Sequence, residues 1–193
     1  AARVAAVAAE AEVLLEGTPL AGSPVLPVSA HTGTGLPALR ERLQAVARDS
    51  AVHSTDDGRL FRLAVDRVFA LDGVGTVVTG TIHAGRVSVG DELVLAPGDT
   101  RVRVRSVHAQ NRKVTRAVAG QRCALAVAGV AKDEVQRGQW LVAPGAASTT
   151  ARLDVQLRVW PGEAKALRSG TPVHVHLGAA DVLGSVAVLD AGD

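Results

Sequence analysis

The stretch from Phe61 to Ala84, FRLAVDRVFALDGVGTVVTGTIHA, limits what this chain can fold into more than any other. It joins two runs rich in Val, Thr, Ile and Phe, whose branched or flat side chains suit a pleated strand. Between them, Leu71-Asp72-Gly73-Val74-Gly75 has the Asp-Gly chemistry of a hairpin turn, where positive φ is needed. Period two puts Phe61, Leu63, Val65 and Phe69 on one face, and Arg67 interrupts that face. A charge on an apolar face sits either at a bulge or in a polar pocket. The glycines here do not form a nucleotide loop. They lack a third Gly at the required spacing and lead into β-branched residues rather than a helix. No Gly-Lys-Ser/Thr occurs anywhere in the chain.

The pattern continues to Pro144. Short β runs at Arg86–Val89, Glu92–Ala96, Arg101–Val107, Ala117–Ala128 and Gln139–Ala143 alternate with turns such as Gly90-Asp91 and Pro97-Gly98-Asp99. Many short strands at close spacing predict a closed barrel or a sandwich. Aromatic residues are only 2% of the chain, so the core must be built from Val, Leu and Ala. Alternation places Arg101, Arg103 and Arg105 on one face and Val102 and Val104 on the other.

Upstream the character differs. Ala1–Glu16 is rich in helix formers and ends at Gly17-Thr18-Pro19. Val4, Val7, Val13 and Leu14 share a broad apolar stripe. Ser23–Ala30 predicts a short strand near a sheet edge, followed by a loop at 31–35. Leu36, Leu39, Leu43 and Val46 then predict an amphipathic helix, with Pro37 in its first turn and Thr34 as N-cap. Residues 1–50 therefore read as the C-terminal end of an α/β domain, and 51–59 as a polar linker. Residues 60–144 form the β-barrel. Pro144–Thr150 is a second linker. Ala151–Trp160 and Thr171–Asp190 resume as three strands, so 145–193 reads as part of a further β domain. The fold class is mainly β.

Charge is unevenly placed. The formal net charge is only +2, yet Thr100–Lys132 contains no Asp or Glu and holds Arg101, Arg103, Arg105, Arg112, Lys113, Arg116, Arg122 and Lys132. Such a window fits a polyanion such as RNA, or a basic face balanced by acids elsewhere in the fold. A lone cysteine, Cys123, excludes an internal disulfide, and its CALAV context predicts an inert core thiol. No run reaches the ~20 apolar residues of a membrane helix. The N-terminal stretch carries Glu10 and Glu12, which argues against a signal peptide. A cytoplasmic location is expected. The absence of methionine predicts a chain that begins inside a longer protein. His174 and His176 share a strand face with Asp181 nearby, too thin a set to predict a metal site. No Ser/His/Asp spacing marks a nucleophile, and no catalytic residue is expected.

Several stretches together resemble the translational GTPases. Val28-Ser29-Ala30 followed by Thr32-Gly33-Thr34-Gly35-Leu36 is similar to the last guanine-binding motif of their G domain, with His31 where Lys or Leu is usual. Gly75-Thr76-Val77-Val78-Thr79-Gly80-Thr81, Gly85 and Val89-Gly90-Asp91-Glu92-Leu93 resemble the second, β-barrel domain of elongation factor Tu and its relatives. Within that group the pattern resembles the bacterial selenocysteine-specific elongation factors. Four stretches carry this narrower likeness: Phe61–Arg67, Val104–Asn111, Ala119–Leu125 and Arg137–Leu141.

The resemblance implies a GTP-dependent carrier that delivers selenocysteinyl-tRNA to the ribosome at UGA codons. It implies an aminoacyl pocket at Asp66, Arg67 and Arg122, and guanine-base contact by Ser29, Ala30 and His31. Arg101, Arg103, Arg105, Arg112 and Lys113 become candidates to face RNA. GTP or GDP with Mg is the implied cofactor of the full-length protein, with none expected on this segment alone. The phosphate loop and switch regions would precede Ala1, so the segment is not expected to hydrolyse GTP. A selenoprotein mRNA hairpin is an implied partner through a region beyond Asp193; no membrane is implied. Two other readings stay open. One is a factor of the elongation factor Tu or initiation factor two type; the other is a non-catalytic β-barrel adaptor.

Overall fold

A one-residue slip in the first strand pair shapes the structure. In the computed structural model, β1 (Arg62–Leu71) and β2 (Gly75–Ala84) form the expected hairpin, with Val74 N–H donating to the Leu71 carbonyl across the turn at 3.1 Å. Val65 pairs with Gly80 and Arg67 with Thr79, so Asp66 is the extra residue of a β-bulge. The bulge reverses the parity of the strand. Leu63 and Val65 are buried before it, and Val68 packs on the core after it. Phe69, expected on the core face, is instead turned outward and 36% exposed. Uninterrupted period two fails here because a bulge puts an odd residue into the count.

The structure describes residues 2–51, 58–146, 148–160, 162–163 and 165–189; most of the expected 51–59 linker lies outside them. After the hairpin come β3 (Arg86–Ser88), β4 (Glu92–Ala96), β5 (Thr100–Ala109), β6 (Arg112–Val114), β7 (Arg116–Val118), β8 (Arg122–Ala128) and β9 (Trp140–Val142). Among the described residues, six strands run β4-β9-β1-β2-β8-β5, and β4 pairs with β5 to close the barrel. Closure leaves these strands without free edges. β6 extends β5 as a ribbon, and β3 pairs with β7 in a ribbon of its own. The interior is aliphatic: Leu63, Val65, Val78, Ile82, Val87, Leu93, Val104, Val107, Leu125 and Leu141 are almost fully buried, with Phe61 beside them.

Within and after the barrel, the strand reading needs correction at three places. Ala117–Ala128 is two strands, because Gly120 at φ 84° turns the chain and Gln121 N–H donates to the Val118 carbonyl at 3.1 Å. β6 had no sequence signal of its own. It follows from a two-residue turn in which Gln110 and Asn111 take φ 52° and 58°, the paired positive values of a tight hairpin. Ala151–Trp160 forms no strand among its described residues, which leaves only β10 (Pro172–Leu177) and β11 (Ala180–Ser185) after the barrel. The alternation of β5 holds: Arg101, Arg103 and Arg105 are exposed, and Val102 and Val104 are buried.

The chain divides into two compact units, Ala1–His53 with Val155–Ala166, and Ser54–Asp154 with Leu167–Asp193. The first contains α1 (Ala2–Glu16) and α2 (Leu36–Ala51), as expected from their periodicity. Val4, Val7, Val13 and Leu14 of α1 and Leu43 and Val46 of α2 are exposed. Ser23–Ala30 joins no ladder; Pro24 and Pro27 have no N–H to give one. The cap of α2 is Gly35 rather than Thr34, since the Gly35 carbonyl accepts the bond from Leu39 N–H at 3.0 Å. In the second unit the β10–β11 hairpin packs on the barrel. A Cβ at Gly178 would lie 3.1 Å from Ala64 Cβ and 3.2 Å from the Trp140 ring.

Gly80 marks where the barrel is tightest. A Cβ there would run into the Ala64 carbonyl oxygen and come within 2.7 Å of Leu63 Cδ2. Gly80→Ala should therefore destabilise the barrel by about 1–3 kcal/mol. Urea unfolding of the two proteins checks this; an unchanged midpoint would contradict the packing described.

Candidate functional site

The bulge that removes Asp66 from the ladder gives its side chain to the outer face of the barrel. There it meets two groups from neighbouring strands. Arg122, the first residue of β8, donates from Nε to Asp66 Oδ2 at 3.1 Å and from Nη2 to Oδ1 and Oδ2, both at 2.8 Å. Thr79 of β2 donates its hydroxyl to Asp66 Oδ1 at 2.7 Å and accepts from Arg122 Nη2 at 3.4 Å. Arg67 stands directly opposite Thr79 in register, exposed. Val65 and Val68 point inward around the bulge and Cys123 points inward beside Arg122, so Arg67 and Arg122 share the outer face. Asp66 is thus held by Arg122, and is not paired with its chain neighbour Arg67.

Register extends this face. Across the strands, Arg67 lies opposite Thr79, Thr79 opposite Ala124, Ala124 opposite His108, and His108 opposite Lys113. The row runs from the bulge to the β5–β6 ribbon. It separates the basic candidates into two groups. Arg101 approaches Glu92 at 4.0 Å, and Arg103 is the register partner of Glu92. Arg112 and Lys113 sit on the ribbon beside His108, and Arg105 lies at a second register shift, between Val104 and Ser106. Ser29, Ala30 and His31 belong to the other unit. Their loop closes on itself through Ser29 N–H to the Thr34 carbonyl and Gly33 N–H to the Ser29 carbonyl, both 2.9 Å.

Two further groups lie away from this cluster or behind it. Burial pushes the Cys123 thiol up to about 12; nearby Arg122 acts in the opposite sense and Asp66 adds to the rise. The thiol is a core group, not a nucleophile. His174 Nδ1 lies 2.8 Å from Asp181 Oδ1 and His176 Nδ1 lies 3.9 Å from it. The hydrogen bond from His174 holds the Asp181 carboxyl below its ordinary value of 3.8. That contact therefore favours the fold above the ordinary carboxylate range and is lost as pH falls through the lowered value. Among the described residues, no group of three His, Cys, Asp or Glu is placed to hold a metal ion, and no helix is long and apolar enough to cross a membrane.

Two positions on this face have no signal of their own in the sequence. Thr79 reads as one more β-branched strand residue until the bulge sets Asp66 against it. His108 gains its place only through the β5–β8 register.

Comparison with known proteins agrees with the barrel fold. The family profile "Elongation factor Tu domain 2" matches residues 75–142, most of the barrel. A selenocysteine-specific elongation factor from Desulfomicrobium baculatum is 35% identical over 181 residues, which is 94% of this chain and 28% of that protein. One from Escherichia coli (strain K12) is 38% identical over 191 residues, 98% of this chain and 30% of that protein. The crystal structure of bacterial selenocysteine-specific elongation factor EF-Sec superposes with a TM-score of 0.77 at 27% identity, over 98% of this chain and 31% of the other. The chain belongs to the selenocysteine-specific elongation factor family. It spans under a third of the length of these curated relatives.

In this family member, the cluster of Asp66, Thr79 and Arg122 is joined by hydrogen bonds from three different strands. The Thr79 hydroxyl is its most buried polar contribution, with the residue only 7% exposed. Thr79→Val keeps the shape and removes the hydroxyl. It should cost about 1–2 kcal/mol by leaving the carboxylate short of a donor, and Thr79→Ser should recover most of that. Chemical denaturation of the three proteins provides the check; equal stability of the Val variant would show that the hydroxyl contributes nothing.

Proposed function

We propose that this chain forms the part of a GTP-dependent elongation factor that holds the aminoacyl end of selenocysteinyl-tRNA, for delivery to the ribosome at UGA codons. The observation that carries the reading is the joining of Asp66 and Arg122 on the barrel's outer face, with Arg67 beside them. Selenocysteine is a coded side chain whose chemistry suits such a site. A selenol is more acidic than a thiol, whose pKa is ~8.5, so it is largely an anion at neutral pH. Guanidinium groups stabilise that anion by charge-assisted hydrogen bonds. Seryl-tRNA offers a neutral hydroxyl and leaves their charge uncompensated.

The remaining assignments follow the family. Residues 1–50 are proposed as the end of the G domain, 60–144 as the second domain and 145–193 as part of the third. Ser29, Ala30 and His31 would contact the guanine base through the loop that precedes α2, and GTP or GDP with Mg would be held largely by residues outside this chain. The ribosome is a proposed partner, and a selenoprotein mRNA hairpin would be read by a region outside these 193 residues. A cytoplasmic location accords with this role. The match to the elongation factor Tu barrel supports a broader reading as a tRNA-binding factor without selenium selectivity.

In the full-length protein, Arg122→Ala should weaken selenocysteinyl-tRNA binding at least tenfold and seryl-tRNA binding little. Equal affinities of the unmodified protein for the two would leave the broader reading in place. Filter binding or fluorescence titration gives both numbers. The basic ribbon supplies a separate test. Arg112→Ala and Lys113→Ala should each lower the slope of log affinity against log salt by about 0.7–0.9 for every phosphate that is no longer neutralised. Arg101→Ala, whose guanidinium faces Glu92, should change it less. Identical slopes in all three variants would remove the ribbon from the RNA interface.

A further inference from the structure

We propose that the β10–β11 hairpin braces the bulge of β1, and that Gly178 and Trp140, where the hairpin meets the barrel, are positioning residues for Asp66. The inference rests on the reading of the Asp66 cluster as an aminoacyl pocket, and adds what fixes that pocket's geometry from outside it.

Asp66 needs such support. It has no partner in the β1–β2 register, so its main chain is placed by the paired residues on either side. On the N-terminal side that residue is Val65. Its carbonyl accepts from Gly138 N–H and its own N–H donates to the Gln139 carbonyl, both at 2.9 Å. The segment that leads into β9 therefore holds the last fixed point before the bulge.

The hairpin rests on that same segment. A Cβ on Gly138 would lie 2.8 Å from Ala180 Cα, so only a glycine lets the main chain of β11 come down this close. Ala64 stands opposite Trp140 in register, and Gly178, in the hairpin turn, closes over both. A Cβ on Gly178 would lie 3.1 Å from Ala64 Cβ and 3.2 Å from Trp140 Cζ2. The Trp140 ring also meets that of His83, with centroids 5.1 Å apart. His83 is itself the extra residue where the β1–β2 register slips between Arg62 and Leu63. The hairpin thus touches β1 two residues before Asp66, and touches Gly138, which is bonded to Val65.

Small shifts at this contact reach the pocket. A recognition site has to hold its groups within about 0.5 Å of the working geometry. Moving Val65 moves Asp66, while Thr79 stays with β2 and Arg122 with β8. The hydrogen bonds from three strands then no longer converge on one carboxylate. Contacts with the rest of the tRNA are common to every aminoacyl ester. The loss therefore appears in the ratio of selenocysteinyl- to seryl-tRNA affinity, a quantity that a purely structural role would leave level.

The experiment measures that ratio in the full-length, GTP-bound protein. Gly178→Ala adds a methyl group at the contact, and Trp140→Phe removes the ring atoms that it would meet. Each should lower the ratio by about tenfold. The double variant, in which the methyl group fills the space left by the smaller ring, should recover most of it. Gly178→Ala also strains a main chain at φ 63°, and Gly170→Ala controls for this. Gly170 has φ 87° and nothing within 4 Å of its Cβ position, so its ratio should stay level. Trp140→Phe keeps the test available if Gly178→Ala fails to fold. A level ratio in the folded contact variants would overturn the inference, as would an equal fall in Gly170→Ala. Equal binding of selenocysteinyl- and seryl-tRNA by the unmodified protein would instead remove the aminoacyl reading itself.

Discussion

The arrangement depends on one unpaired residue in one strand. If β1 ran without a bulge, the residue after Val65 would sit in the ladder opposite β2 and the later residues would keep their parity. Because the register slips there, Val65 pairs with Gly80 and Arg67 with Thr79, and Asp66 is left over. The slip has two consequences of different kinds. For packing, it turns Val68 onto the core and Phe69 away from it. For chemistry, it puts two successive polar side chains on the outer face, where regular alternation would allow only one. The site is thus a product of the ladder and needs no loop to build it.

A site on adjacent strands inherits the rigidity of those strands. Asp66, Thr79 and Arg122 come from β1, β2 and β8, which are consecutive in the closed barrel. Behind them lie Leu63, Val65, Val78 and Leu125, all essentially sealed from solvent. Gly80, next to Thr79, lets β2 approach the Ala64 carbonyl of β1 closely. The spacing between the carboxylate and the hydroxyl is therefore set by main-chain contacts and aliphatic packing. Closure matters for the same reason. Each of these three strands is paired on both sides, so none can slide without breaking two ladders.

Much of this was legible in the residues, and the failures share a cause. The first hairpin, both helices and the core-facing alternation of β5 follow from periodicity and turn chemistry, which left the later strands open as a closed barrel or a sandwich; the resemblance to the elongation factor Tu domain chose the barrel. Arg67 also signalled a bulge or a pocket by breaking an apolar face, and it stands beside a bulge. What periodicity does not encode is long-range register. Thr79 and His108 acquire their partners from other strands, whose pairing no local pattern specifies. The split of Ala117–Ala128 was hidden for a different reason: one glycine at positive φ interrupts a run that is otherwise largely apolar. The strand expected at Ser23–Ala30 failed where prolines removed the donors that a ladder requires.

The energetics of the ion pair argue for exchange over scaffolding. A solvent-exposed Arg–Asp pair contributes about 0–1 kcal/mol to stability, because water screens the attraction and holding the side chains costs entropy. This pair is better than most, with two-edged geometry and a hydroxyl that orients the carboxylate, but the Arg122 side chain remains more than half exposed. A barrel with so many sealed aliphatic side chains has little need of it. The same exposure makes the pair easy to open. A fully buried pair would resist separation by several kcal/mol, since each partner would be left charged and dry. Here either partner can turn to a ligand while water covers the other. Modest strength on a rigid base would suit the aminoacyl pocket proposed for these groups, which would hold one another when the site is free and release one another to a ligand of matching charges.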